Sequence, residues 1–248
     1  MHAGGARYHD YGFSPVGMPN VADGLYAIKV AVFDEKICTA DELIDAMKKN
    51  YEGCEKLQAQ LRAIPKYGMD HEGADAMAAR LMNDIADMYL NCKTRWGGSA
   101  KPVIFTFRYS IWVADKIGAT PDGRNLGANI AHGVTPHSGS MTEGITAAMN
   151  SCCKMPFAKF SGGASSMWDF DSNWVNEELI EALLSTFMEN GGQIFQGNTT
   201  SLEELKEARK HPEDYRHLFV RVGGYSARFV DLSPVHQDEV MSRIRHKA

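Results

Sequence analysis

RVGGYSARFVDL, residues 221–232, stands almost at the end of the chain. Its flanks, with Val222, Phe229 and Val230, suit a buried strand or a tight loop, yet two adjacent glycines interrupt them. Glycine packs no side chain and loses more freedom on ordering than any other residue. The pair Gly223-Gly224 therefore answers some demand of the backbone. An ordinary turn between two strands meets it, and so does a loop whose backbone itself does chemistry. The surrounding sequence decides between them.

Upstream, SLEELKEARKHPEDY reads as a helix capped by Ser201, with Glu204 three residues on and Pro212 as its stop. QIFQGNTT reads as a short strand, and EELIEALLSTFMENGG, residues 177–192, as a helix with a glycine C-cap. Downstream, SPVHQDEVMSRIRHKA closes with a short helix. Before these, PVIFTFRYSIWV predicts a strand over Val103–Val113, ended by the turn Pro121-Asp122-Gly123. The stretch after it, from Asn125 to Ser151, is glycine-rich but too apolar for a linker, and reads as a structured loop. The first third is helical. Val21, Leu25, Ile28 and Val32 recur at helical spacing, Thr39 and Glu42 form a capping pair before Leu43, Ile44 and Met47, and LQAQLRAI makes a third helix ended by Pro65. A long helix from Ala74 to Lys93 carries Met77, Leu81, Ile85, Met88 and Tyr89 on one face, as core filler. Helix and strand alternate after residue 100, which argues α/β layering.

Composition excludes several classes. The chain has 248 residues, 44% apolar and 23% charged, enough for a sizeable core. A formal net charge of −5 provides no basic field for nucleic acid. No apolar run is long enough for a membrane helix, and the N-terminus lacks a signal-peptide pattern. The odd, irregularly spaced set Cys38, Cys54, Cys92, Cys152 and Cys153 reads as reduced thiols of a cytoplasmic protein, without a disulfide framework or a metal site. Neither GxGxxG, GxxxxGK[ST] nor GxSxG occurs. His132 and His137 are read as loop hydrogen-bonders rather than ligands. Asp169 and Asp171, two apart, would share a strand face as an acid–base pair, but read better as an Asp-rich loop or helix cap before Glu177.

The glycine loop gains meaning from company. Arg221-Val222-Gly223-Gly224-Tyr225-Ser226-Ala227 resembles the C-terminal signature of glycyl radical enzymes, the group of pyruvate formate-lyase and its relatives. GGARYHDYGFSPVGMPNVADGLYAIKVAVFDEK resembles a further family block, with Gly24 where serine is usual. GATPDGR, ending at Arg124, and GITAAMNS, residues 144–151 with Ile145 in place of proline, resemble two more, and ARKHPEDYRHLFVRVGGYSARF resembles the lead-in to the radical loop.

The resemblance implies that Gly224 is the radical residue, with Arg221, Val222, Gly223, Tyr225, Ser226 and Ala227 forming its loop. It implies a ten-stranded α/β barrel of which this chain is the C-terminal half, residues 1–124 being a mostly helical part of the barrel domain and 125–248 the glycine radical domain. It implies a glycyl radical installed by a radical S-adenosylmethionine activase, no bound metal, a small organic substrate, and a homo-oligomer. None of the cysteines falls in a block matching the family's catalytic-cysteine loop, and its neighbouring Glu has no counterpart here. The chain is thus expected to work with an upstream half or partner subunit and to be inactive alone. The alternative is a spare-part glycyl radical protein that repairs a cleaved partner. GITAAMNS, SGGASSMWDFDSNW and GGQIFQGNTTS lean toward the arylalkyl-succinate synthase and arylacetate decarboxylase branch rather than the dehydratases. Half a barrel would leave an open apolar face and a tendency to self-associate.

Overall fold

The structure, a computed structural model, describes residues 9–95, 97–106, 109–173 and 175–243. Gly4 and Gly5 of the N-terminal block, Phe107 and Arg108 of the expected strand, Trp174, and residues 244–248 lie outside them.

Strand β1, Tyr11–Phe13, leads into helix α1, Met18–Ile28, which starts with a proline in its first turn and runs on as a π-helical segment, Lys29–Asp34. Helix α2, Ala40–Lys48, begins with the expected box: the Glu42 N–H donates to Thr39 Oγ1 at 3.2 Å and the Thr39 N–H to Glu42 Oε2 at 2.8 Å. Helices α3, Glu55–Ala63, and α4, Glu72–Asn91, follow. Strand β2, Ala100–Pro102, pairs in parallel with β1, Tyr11 opposite Ala100. After the short helix α5, Tyr109–Trp112, and the long loop, helix α6, Gly144–Cys153, leads to strand β3, Ser165–Phe170. Helix α7, Glu177–Glu189, crosses over to strand β4, Ile194–Thr199, parallel to β3 with Met167 opposite Gln196. Helix α8, Leu202–Lys210, the antiparallel hairpin of β5, Phe219–Arg221, and β6, Ser226–Arg228, and helix α9, Pro234–Arg243, complete the chain. A parallel bridge between Ile104 and Ala164 links the β1–β2 and β3–β4 pairs, so four strands run in one direction with helices packed on them. This is the α/β layering read from the sequence.

Three expectations change. The strand expected over Val103–Val113 is not found among its described residues: β2 lies just ahead of it, and within it only the isolated Ile104 bridge pairs in sheet fashion. Beyond it a hydroxyl replaces the backbone partner: the Phe105 N–H donates to Ser14 Oγ, which donates to the Phe105 carbonyl. A ladder without backbone partners stops, and the chain coils into α5. The segment 165–170, read as loop or cap, is instead strand β3, buried on both faces. The apolar stripes are also rotated. On α1, Val21 and Leu25 are exposed while Ala22 and Ala27 are buried, and on α4 the buried row is Ala74, Ala78, Met82 and Ala86 rather than Met77 through Tyr89. Small side chains let α1 and α4 approach closely, so alanine lines the contact and larger residues flank it.

One core runs from Met18 and Ala22 through Ala78 and Met82 to Trp168, Phe170 and Phe187. The Trp168 ring meets Phe187 edge-on and stacks on Phe195, both at 6.4 Å between centroids, an arrangement that adds to simple burial. On the opposite side, Val21, Leu25, Ile28, Ile117 and Ile130 line an open groove of about 610 Å³. Phe13, Phe33, Trp112 and Phe219 are each at least half exposed. This much uncovered apolar surface leads us to expect self-association of the isolated 248-residue chain. Size-exclusion chromatography should give species larger than a monomer, and a compact monomer that binds no apolar dye would contradict it.

Candidate functional site

The hairpin of β5 and β6 presents the two glycines at its tip. Arg221 lies opposite Ser226, and the Val222 N–H donates to the Tyr225 carbonyl at 2.9 Å, closing a turn over Gly223 and Gly224. Gly224 has φ +81°, left-handed backbone that a Cβ resists. Gly223 is buried, while Gly224, Tyr225 and Ser226 are exposed in this chain. All seven loop residues, Arg221 to Ala227, are therefore brought together in one tight hairpin, with the left-handed position at Gly224.

Strand β4 holds that tip by side chains. Residues two apart on a strand share a face, and Gln196 and Asn198 both face the hairpin. Gln196 Oε1 accepts the Gly224 N–H at 2.7 Å and the Arg221 Nε–H at 3.0 Å. Asn198 imitates a neighbouring strand: its Oδ1 accepts the Arg221 N–H at 2.5 Å, and its Nδ2 donates to the Arg221 carbonyl at 3.1 Å. Helix α9 grips the other side. Arg243 donates to the carbonyls of Arg221, at 3.1 Å, and Val222, at 2.8 Å.

Behind the hairpin lies a buried charged network. Arg243 pairs with Glu239 one helical turn earlier, its Nε 2.7 Å from Glu239 Oε1. His132 Nε2 lies 2.5 Å from the same carboxylate oxygen and 3.1 Å from Ser110 Oγ. Asp169, on β3, accepts from Asn198 Nδ2. Burial by itself would push the Glu239 carboxyl up, but His132 and Arg243 overcome it and hold it down at about 2. For Asp169 burial wins and its acidity is weakened, although Arg243 and Asn198 oppose this. The two carboxylates keep Arg243 firmly charged against its own desolvation.

His132 thus bonds to Glu239 and Ser110 rather than only within its own loop, because the chain brings α9 to it from more than a hundred residues away. His137 does bond within its loop, its Nε2 2.9 Å from the Asn129 carbonyl and its Nδ1 accepting the Gly139 N–H at 3.1 Å. Asp169 and Asp171 do not pair as acid and base. Asp169 is buried toward Arg243, while Asp171 Oδ1 accepts the Asn173 N–H at 2.9 Å in a turn, and Asn176 caps α7.

Gly223 and Gly224 border a partly open pocket, shared with Gln196, Met167, His132 and Thr106. A second lies toward Met141, Asp169, Glu239 and Arg243. Neither is bordered by a cysteine among the described residues. Cys152, on α6, is fully buried, and burial pushes its thiol well up, which disfavours the thiolate. Among the described residues no histidines, cysteines and carboxylates gather as metal ligands.

The chain is similar to known proteins along most of its length. Residues 1–114 match the pyruvate formate lyase-like family and residues 130–230 the glycine radical family. The trans-4-hydroxy-L-proline dehydratase of Clostridioides difficile is 34% identical over 97% of this chain, and the isethionate sulfite-lyase of Oleidesulfovibrio alaskensis is 34% identical over 95%. These matches span only 31% and 29% of the relatives' own lengths. The glycerol-bound B12-independent glycerol dehydratase from Clostridium butyricum superposes with a TM-score of 0.92 at 32% identity, over 98% of this chain and 31% of that one. Dehydratases and a sulfite-lyase give no support to the expected lean toward arylalkyl-succinate synthases and arylacetate decarboxylases. The chain belongs to the glycyl radical enzymes, with their pyruvate formate lyase-like and glycine radical domains, and shares their α/β architecture over about a third of their length.

Proposed function

We propose that Gly224 stores the radical of a glycyl radical lyase. This chain supplies the glycine side of the site, and the cysteine that attacks the substrate comes from protein outside it. The observation that carries this is the hairpin tip, where Gly224 has left-handed backbone and its N–H is bound by Gln196 beside a partly open pocket. A radical on a backbone carbon is stabilised when the amide nitrogen donates and the carbonyl withdraws, which requires a planar Cα free of a side chain. Glycine alone meets that condition. Residues 125–248 act as the radical-bearing unit and residues 1–124 as its barrel support.

The activities of these relatives, two dehydratases and a sulfite-lyase, support C–O or C–S bond cleavage in a small hydroxylated substrate. A radical S-adenosylmethionine activase is the partner that removes the hydrogen. The test is anaerobic treatment, with such an activase, S-adenosylmethionine and reductant, of the chain joined to its upstream portion. The expected product shows an electron paramagnetic resonance doublet from coupling to the remaining α-hydrogen of Gly224. A featureless spectrum with an activase competent on a control enzyme would remove the reading.

A further inference from the structure

Gln196 is committed at both ends of its side chain. Its carbonyl end receives two donors, Gly224 N–H and Arg221 Nε–H, while its amide end donates to Ser165 Oγ. Turning the amide over would set NH₂ against two donors, so the network fixes its orientation. The side chain is placed by β4, whose parallel register sets Met167 opposite Gln196 and brings Ser165 of β3 within reach. Gly224 is itself exposed in this chain, yet its N–H is held by a protein group rather than left to solvent.

That N–H lies one bond from the Cα proposed to carry the unpaired electron. We infer that Gln196 is a positioning residue for the radical at Gly224. Its carbonyl fixes the N–H in the plane of the delocalised centre and draws on the proton, so that the nitrogen lone pair is freer to stabilise the unpaired electron. This rests on Gly224 being the radical residue and adds the group that tunes it.

Two variants test it. Gln196→Leu keeps the approximate size and removes the acceptor. Gln196→Glu keeps an acceptor for both donors and lets Ser165 donate in place of accepting. In activated protein held anaerobically, the Leu variant should lose its doublet about tenfold faster than wild type, the effect of one missing hydrogen bond to a critical group. The small, exchangeable coupling from the Gly224 N–H, resolved by electron–nuclear double resonance before and after transfer to heavy water, should change in the Leu variant and return toward the wild-type value in the Glu variant. A purely structural role would alter yield but not that coupling. An unchanged coupling and lifetime in Gln196→Leu would overturn the inference. Amide hydrogen exchange in the unactivated wild-type protein provides a reading that needs neither radical nor variant. A protected Gly224 N–H supports the Gln196 contact, and an unprotected one overturns it. A protected amide without any doublet in wild type overturns the radical assignment instead.

Discussion

Gly224→Ala is expected to abolish both the radical doublet and the oxygen-dependent backbone cut. Two physical effects act together. The backbone at this position is left-handed, φ +81°, and an L-residue there costs about 1–2 kcal/mol. The added methyl also crowds any planar Cα and withdraws it from the hydrogen abstraction that glycine allows. In wild type, oxygen should destroy the radical and sever the chain at Gly224, leaving a C-terminal peptide that begins near Tyr225, which mass spectrometry would identify. Gly223→Ala provides the contrast. Gly223 is buried in the turn, so a methyl there loosens the loop and lowers radical yield without removing the site. A full doublet in Gly224→Ala, or a cut mapped to another residue, would assign the radical elsewhere.

The legible parts of the sequence were those whose physics is local. The glycine pair advertised an unusual backbone, and the structure places the left-handed φ at Gly224 within it. Thr39 with Glu42 and Ser201 with Glu204 marked helix starts because a cap and its partner lie three residues apart. Strand β3 was hidden because it is buried on both faces, so SSMWDF carries no clean alternation and its Asp169 mimics a loop residue. The helix stripes misled because α1 and α4 meet through alanines, which a search for large apolar residues passes over. Gln196, Asn198, Glu239 and Arg243 were missed as site residues. Each is unremarkable in its own segment and gains a role only when β4 and α9 are brought to the hairpin. The one available signal was the polar alternation of Gln196 and Asn198 in a strand otherwise read as structural.

Arg243→Met should produce the largest loss of stability. Arg243 is buried, and removing it leaves Glu239 with His132 alone, Asp169 without its cation, and the carbonyls of Arg221 and Val222 without their donor. Breaking a buried ion pair in this one-sided way costs about 3–5 kcal/mol. For a chain of this size that corresponds to a fall in Tm of roughly 6–20 °C. The pH dependence gives the sign. The Glu239 carboxyl is held at about 2 against an ordinary 4.5, so its contribution is complete above the ordinary value and is lost as pH falls toward 2. Asp169 is shifted the other way. Burial weakens its acidity, so it subtracts stability as pH rises through its raised value. Arg243 offsets both carboxylates only while they are ionised. The deficit of Arg243→Met relative to wild type should therefore be greatest near neutrality and shrink as pH is lowered from about 5, as the orphaned carboxyls take up protons. Arg243→Lys keeps the charge but not the planar fork that reaches two carbonyls and a carboxylate at once, and should recover only part of the loss. Thermal unfolding across this pH range reads the effect directly. A Tm within about 2 °C of wild type at neutral pH, or a deficit that grows on acidification, would show that the network behind the hairpin contributes no more than a solvent-exposed pair.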